Sequence, residues 1–480
     1  MDYVQGEHRE QLTMFPEALE DYIDEENPVR FIDAFVDGLD LKALGFNHSE
    51  LKETGRPPYN PGDLLKLYVY GYLNHIRTSR KLEREAIRNL EVMWLLKKLR
   101  PDDRTISSFR QDNPQALKKV YRSFHRICKE LELFNSDMVA VDGSKFKANN
   151  SSRRNYSREK LSESLKKIDR HIEEYLEELD RNDEEDQKSE QNKLSPEELK
   201  EKIEQLRELK DTYEGYVQEL EETGESQKSL TDPDSRLMKT AKGYEVSHNI
   251  QVAVESEHNL VVEFYPTSEE SDQNELHQIS ESAREALEVQ ELDVLTDGGY
   301  FDHEQLKECA DNNLHVYIPL PKTGDGSIPD PAYNRKHFTY NKEQDTYTCP
   351  AGAELFYTHT TTRRDKQIRV YRTPECNKGC PYRKRCTKSQ RGRTINRWEE
   401  EELIEMITQR ISEDPEKPAL RKQIVEPVFG IIKYAMNQGR LLLRETEKVM
   451  GELSLSMLAY NIRRVINIVG IPRLIAAVTP

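Results

Sequence analysis

Asp142 and Asp297 hold matching places in this chain. Each closes a short apolar run, residues 139 to 141 and 294 to 296, and each is followed by glycine. A run this short before a turn pair reads as a buried strand, so each acid is expected at a strand end, on the lip of a sheet. A lone Asp-Gly pair is usually only a turn. Two of them on neighbouring strands would set two carboxylates several Å apart, and these repel unless a cation sits between them. Mg²⁺ takes oxygen ligands in octahedral geometry, keeps several waters and accepts phosphate oxygens. The chemistry such a pair could do is metal-assisted attack on a phosphodiester.

A third acid would complete a two-metal site, and Glu426 is the candidate. Glu426, Lys433 and Arg440 recur every seven residues. Seven residues make two helical turns with a drift of about 20°, so one helix face is expected to carry a carboxylate and then two cations. The other reading is a charged, solvated face. Ile424, Val425, Val428, Phe429, Ile431 and Ile432 make this helix apolar. It is expected to be mostly buried, where an acid needs a partner. Pro427 marks either a helix start or a kink.

The elements around these residues divide the chain. Residues 1 to 136 read as all-helical. Asn27-Pro28 and Asn60-Pro61 are cap-and-proline starts, residues 80 to 99 form a third helical region, and residues 102 to 110 form a short capped helix. That last helix belongs either to a helix-turn-helix, with Arg104 and Arg110 toward DNA, or to a small bundle with solvated basic faces. From residue 137 the pattern becomes α/β. Strands are expected at 139 to 142, 243 to 254, 260 to 265, 292 to 297 and 315 to 320, the second and third as a hairpin, with helices at 275 to 289 and 301 to 312. This predicts a mixed sheet flanked by helices. His248, inside the hairpin, reads as structural. Helices return at 419 to 437 and 446 to 468.

Two segments interrupt the α/β pattern. Residues 158 to 228 hold 24 acids and 13 Lys/Arg, with narrow apolar seams on two arms. They read as an antiparallel helical hairpin, either a solvated insert or a dimer contact. Residues 330 to 397 form the second insert. It contains Cys349, Cys376, Cys380 and Cys386 at spacings unlike a repeated tight pair, with turn residues beside the thiols. A structural Zn²⁺ and four unlinked thiols are the two readings. Cys128 and Cys309 fall in helices and read as core.

The net charge of −17 would argue against nucleic acid, but its distribution does not. Residues 359 to 397 carry 13 Lys/Arg against two acids, and residues 417 to 444 carry six against one. Local charge decides contact with phosphates. The length of 480 residues predicts two or three domains. The polar start, and the absence of any apolar run near the roughly 20 residues of a membrane span, predict a soluble, cytoplasmic protein.

The blocks Asp142-Gly-Ser-Lys-Phe-Lys-Ala-Asn, Asp297-Gly-Gly-Tyr and Val-Glu426-Pro-Val-Phe-Gly-Ile-Ile-Lys433 resemble the three signature blocks of bacterial insertion-sequence DDE transposases. Gly55-Arg-Pro-Pro-Tyr-Asn-Pro-Gly-Asp and Thr105-Ile-Ser-Ser-Phe-Arg110 resemble the InsH-type N-terminal domain of that family. The resemblance runs from about residue 10 to about residue 470. It implies a helical DNA-binding domain at 1–136 and an RNase H-like catalytic domain at 137–480, with inserts at 158–228 and 330–397. It also implies Asp142, Asp297 and Glu426 as ligands of two Mg²⁺ or Mn²⁺ ions. In the implied reaction one ion activates a water against a phosphodiester at the element's end, the other stabilises the leaving 3′ oxygen, and the freed 3′-OH attacks target DNA. Double-stranded DNA, a homodimer or larger assembly, and a nucleoid location follow from the same resemblance. Lys145, Lys147, Arg421, Lys433 and Arg440 are the expected backbone contacts of the core. Similar cysteines occur in this segment of relatives. One departure stands out. Many relatives carry Tyr-x2-Arg-x3-Glu-x6-Lys, whereas here Ala419 holds the Tyr position and Lys422 the Arg position, with Arg421 beside it. The rival readings are a metal-dependent nuclease without strand transfer and a domesticated, non-catalytic DNA-binding protein.

Overall fold

The computed structural model describes residues 18–50, 57–184, 195–240, 243–320, 328–363, 366–376, 379–398 and 401–479. The chain forms two compact units. The first comprises Met1–Ser136, Gly143–Ser271 and Val425–Pro480, and the second Asp137–Asp142 and Asp272–Ile424. One division falls after Ser136, and residues 143–271 and 425–480 group with the N-terminal helices.

In the first unit, Asn27 caps the helix Pro28–Asp37 and Asn60 caps Pro61–Leu73, each side chain accepting a backbone N–H of its own first turn. Both starts agree with the sequence. The region 80 to 99 is two helices, Ser79–Arg88 and Leu90–Leu95, because Asn89 leaves helical geometry to cap the second. The helix Thr446–Val469 is buried along most of its length and packs on Pro114–Glu130 and Pro61–Leu73. At Gly451 this packing is closest: a Cβ there would lie 2.8 Å from Pro114 Cα. The last long helix thus belongs with the N-terminal helices, and it also packs on the strand Val261–Thr267, where Asn461 bonds the Val261 backbone.

Strand β1, Met138–Lys147, is longer than expected. It does not stop at Asp142-Gly143 but runs on through Phe146, which is buried. The apolar Phe146 and Ala148 extend the alternating pattern past the glycine, and a glycine inside a strand need not be a turn. The short strands β2, Asn155–Ser157, and β3, Gln227–Ser229, pair with each other at the base of the helical hairpin. β4, Arg236–Thr240, and β6, Val261–Thr267, flank β5, Gly243–Glu255, in antiparallel pairs, and β5 lies beside β1. From Val246 to Glu255, β5 is buried on both faces rather than on one. The helical hairpin is Arg158–Glu184 and Pro196–Thr223, its second arm opened at Ser195 by a reciprocal capping box with Glu198. Arg158 donates to Leu220 O and Lys210 pairs with Asp169, so the arms are antiparallel as predicted.

In the second unit β1 pairs in parallel with β7, Leu292–Leu295, and β7 with β8, Leu314–Tyr317. The helices Leu276–Leu287 and His303–Asp311 fall between these strands, as read from the sequence. The cysteine-bearing segment is a five-stranded antiparallel sheet that periodicity did not reveal. Its strands are β9, Thr339–Asn341; β10, Thr346–Thr348; β11, Glu354–Arg363; β12, Lys366–Arg372; and β13, Thr394–Trp398, in the order β13-β12-β11-β10-β9. The protein is mixed α/β, with antiparallel pairs in the first unit, parallel pairs and the antiparallel cysteine module in the second, and many helices.

Candidate active site and its basic surroundings

The register of β1 on β7 pairs Ala140 with Leu295. Asp142 and Asp297 each follow two residues later, so the parallel pairing carries both acids to the same side of the second unit. They arrive there differently. Asp142 lies inside a continuing strand, whereas Asp297 stands at the end of its own, where its Oδ1 accepts the N–H of Gly299 at 2.8 Å. Both are partly buried. Burial pushes the Asp142 carboxyl up to about 6. Arg421 opposes that rise, and the negative charges of Asp297 and Asp272 add to it. Asp272 had no motif around it, and only the fold brings it within reach of Asp142.

Arg421 Nη1 donates to Asp142 Oδ2 at 2.9 Å, and Arg421 is 8% exposed. It was expected to touch DNA. Instead its place on the inner side of Lys417–Gly430 turns it to the carboxylate, while Lys422, at the family's Arg position, is exposed. Lys417 is likewise occupied, donating to Asp293 Oδ2 at 2.6 Å and to Tyr317 OH at 3.2 Å. Two of the six bases in 417 to 444 thus serve internal carboxylates.

Glu426 lies in the first unit and is exposed, while Val425, Val428, Phe429 and Ile432 supply the buried face. The expectation of a mostly buried acid is corrected: the apolar residues take one side and leave Glu426 on the other. Pro427 lies within Lys417–Gly430, so it does not start the helix. Four residues later the backbone becomes a π-helix, Ile431–Ala435, closed by Met436 N–H donating to Ile431 O at 2.8 Å. A π turn holds more residues than an α turn, so Glu426 and Lys433 no longer stand two α turns apart. The chain leaves the helix before Arg440, whose segment runs beside β1: Lys147 N–H donates to Gly439 O and Leu441 N–H to Lys147 O. The predicted single face of Glu426, Lys433 and Arg440 is therefore not formed.

The cations of this region divide by burial. Lys433 Nζ donates to Ser144 Oγ and to Lys145 O, above the Phe146 ring, so it braces β1. Lys145 is half-buried. Lys147 is exposed and pairs with Glu245 at 2.9 Å, and Arg440 is exposed. Arg77 Nη1 and Nη2 donate to Arg440 O and Asn437 O, and the buried Glu452 accepts from Leu442 N–H and Leu443 N–H. This clamp sets the backbone that presents Arg440. A carboxylate buried in an apolar helix must be partnered, so Glu452 was detectable in the sequence and was missed.

In the N-terminal helices Arg104 is exposed on a cleft of about 640 Å³. Arg110 is buried at 4%, donates to Tyr72 OH at 2.8 Å and to Arg77 O at 3.2 Å, and lies over the Tyr68 ring. It is a core residue rather than the DNA contact expected of it. Arg110→Ala is expected to lower stability by about 1–3 kcal/mol, since it strands buried acceptors. Urea unfolding would measure that loss, and the salt slope of DNA binding would stay as in the wild type. His248 is structural as read: it is buried and its Nε2 is 2.9 Å from Asp232, whose other oxygen accepts Glu445 N–H.

The cysteine module also uses up part of its charge. Arg397 is 3% exposed, lies over the Tyr340 ring and pairs with Glu405, while Arg385 pairs with Asp330 and Arg369 with Asp345. All six cysteines are free thiols, and Cys128 and Cys309 are buried in helices as predicted. Among the described residues no three His, Cys, Asp or Glu side chains are gathered closely enough to hold a metal ion as they stand. No helix among those residues is long and apolar enough to cross a membrane.

A family model described as "Transposase domain (DUF772)" matches residues 17–112, and one described as "Transposase DDE domain" matches residues 348–466. Together the two matches, which span less than half of the chain, support a DDE transposase. Glu426 and the four clustered cysteines lie inside the second match, and Arg104 and Arg110 inside the first. Asp142 and Asp297 lie outside both. The search among curated proteins found no match. Among solved structures the chain is similar to a piggyBac transposase, determined by cryo-EM as a synaptic complex with hairpin DNA. That likeness covers 95% of this chain and 85% of that one at 10% identity and a TM-score of 0.26, too remote to carry an argument.

Proposed function

We propose that this chain is a transposase that cleaves phosphodiester bonds at the ends of an insertion sequence and joins the freed 3′-OH ends to target DNA, at a divalent-metal site built from Asp142, Asp297 and Glu426. The observation that carries the reading is the matched placement of Asp142 and Asp297, two residues beyond the Ala140–Leu295 pair. The donor set fits a hard cation. Two partly buried carboxylates repel, Asp142 is held up to about 6, and a cation would relieve both costs. Glu426 joins the reading on its Glu-x6-Lys motif and its exposure. Bound Mg²⁺ or Mn²⁺ supplies an activated water and stabilises the departing 3′ oxygen.

The chain's own residues prepare that chemistry. The β1–β7 register fixes the spacing of the aspartates. Arg421 neutralises Asp142 in the metal-free state and orients its carboxylate. Lys433 holds the backbone just after Asp142 by its bonds to Ser144 and Lys145. Lys147, Arg440 and Arg104 are exposed cations suited to DNA phosphates, which set register rather than read sequence. Arg110, Arg421 and Lys433 are withdrawn from that role by their burial or internal bonds.

The antiparallel β4-β5-β6 group and the parallel β1-β7-β8 group support an RNase H-like core. Within the proposal, residues 1–136 are the helical DNA-binding domain and 137–480 the catalytic domain. The hairpin 158–228 and the cysteine module 330–397 are inserts in it. Its partners are double-stranded transposon ends and target DNA, bound by a homodimer or larger assembly at the nucleoid. A structural Zn²⁺ on the cysteines would be a separate ion from the catalytic pair.

Protons compete with the cation at Asp142. Its folded pKa, near 6, lies above the ordinary carboxylate value of 3.8. A raised pKa means that protonation favours the folded form. Its contribution is full below the ordinary value and is lost as pH rises through about 6. Metal-free protein is therefore expected to lose stability over that window. Divalent-ion affinity and cleavage should rise over the same window, and Tm and Mn²⁺ binding measured from pH 4 to 8 would check both. A precut 3′-OH end offered with target DNA tests the function itself. Joined product supports transposition, whereas cleavage of uncut ends without joining would reduce the enzyme to a nuclease.

A further inference from the structure

Cys349 of the antiparallel module is distant in sequence from Cys376, Cys380 and Cys386, but all four line one cavity. Cys349, Cys376, Cys380 and Cys386 all face a space of about 230 Å³, together with Arg383 and Arg393. We infer that these four thiols form a tetrathiolate Zn²⁺ site that fastens β10, β11 and the segments 374–376 and 379–386 into one body. The inference is independent of the reading of the acidic site.

Three features point to a ligand rather than to thiols that merely pack. The first is the turn after β10. Cys349 N–H donates to Ala353 O and Gly352 N–H to Cys349 O, both at 2.9 Å, and Ala353 N–H donates to the Cys349 sulphur at 3.3 Å. A thiol is a weak acceptor, whereas a metal-bound thiolate is a strong one that such amides orient. Gly352, at φ +83, gives the turn a conformation that side-chain-bearing residues rarely adopt. The second feature is the opposite wall. Gly379, at φ +115, directly precedes Cys380, and the short helix Arg383–Cys386 returns Cys386 to the same cavity, with its N–H donating to Tyr382 O at 3.0 Å. Two turns built around left-handed glycines thus aim three cysteines at a shared space, with Cys376 closing it.

The third feature is need. The module's core cluster is seven buried residues, Cys386 among them, with Cys349 packed at its margin. A core this small under a five-stranded sheet is the kind that natural modules supplement with a metal or disulfides, and all four cysteines are free. Four thiolates around Zn²⁺ leave two negative charges, and Arg383 and Arg393 line the cavity to offset them. Binding releases four protons and forms four Zn–S bonds, with no change of oxidation state. The sulphurs must also draw inward, since no three are yet at coordinating distance. Zn²⁺ therefore tightens the module.

The test is metal analysis of the full chain, purified under reducing, chelator-free conditions. About one Zn²⁺ per chain is expected, released by a mercurial thiol reagent. Co²⁺ exchanged into the wild type should give the intense visible bands of tetrahedral thiolate coordination. Cys376→Ser and Cys380→Ser should each cut the zinc content to below about a fifth, while Asp142→Asn leaves it unchanged. Wild-type protein with no zinc and no cobalt spectrum would overturn the site, and so would zinc that persists in both serine variants. The cobalt spectrum needs no variant, so a misfolded mutant cannot decide the matter.

Discussion

Asp297→Asn is expected to lower cleavage and strand transfer by on the order of 10³-fold, a loss of about 4 kcal/mol in transition-state stabilisation. The fold should survive, because an asparagine oxygen can still accept the Gly299 N–H that caps the turn. This variant carries a second signature. With the Asp297 charge gone, one cause of the raised Asp142 pKa disappears. The Asp142 carboxyl should then titrate lower, and the metal-free protein should lose less stability as pH rises. Asp142→Asn should be as inactive but less benign, since it leaves the buried Arg421 without its carboxylate partner. Cleavage assays paired with pH-dependent melts would separate the two variants. A merely structural Asp297 would give neither the large loss of activity nor the shift in titration.

Lys118→Met is expected to cost about 3–5 kcal/mol of stability. Lys118 pairs with Glu263, also donates to Phe264 O at 3.1 Å, and lies over the Phe264 ring. Both partners are at least nine-tenths buried. They link the helix Pro114–Glu130 to β6, so this pair ties the N-terminal helices to the antiparallel strands of the first unit. Removing the lysine strands a carboxylate in a dry setting, whereas replacing both with methionine removes the desolvation cost together with the attraction. The double variant Lys118→Met/Glu263→Met should therefore recover most of the loss. Denaturant unfolding of the two singles and the double would show this as a strong coupling, and additive losses would contradict it.

Much of the fold was legible because its signals are local. Asn27, Asn60 and Ser195 cap helices through their own side chains, and the runs that became β5, β7 and β8 carry their strand patterns in a few residues. What was not legible depends on contacts distant in sequence. β1 continues past Asp142 because Phe146 and Ala148 find burial, which an Asp-Gly pair cannot report. Arg421 and Arg110 looked like phosphate ligands because charge can be read locally, whereas Asp142 and Tyr72 meet them only in the fold. The regular spacing of Glu426, Lys433 and Arg440 assumed an unbroken α-helix, and the π-helix after Gly430 removed that assumption. The five strands of the cysteine module were hidden by polar sequences whose seven-residue core holds three tyrosines and a cysteine. The aspartate pair itself was readable, because two apolar runs ending in Asp-Gly are a pattern that parallel pairing can align.

The claim that Asp142, Asp297 and Glu426 share a divalent-ion site is tested most directly by replacing Mg²⁺ with Fe²⁺ and mapping where the ion's radicals cut the chain. The account predicts cuts next to residues 142, 297 and 426, all suppressed by excess Mg²⁺ and all lost in Asp297→Asn. Cuts confined to other segments, or cuts at these three that persist unchanged in Asp297→Asn, would contradict it.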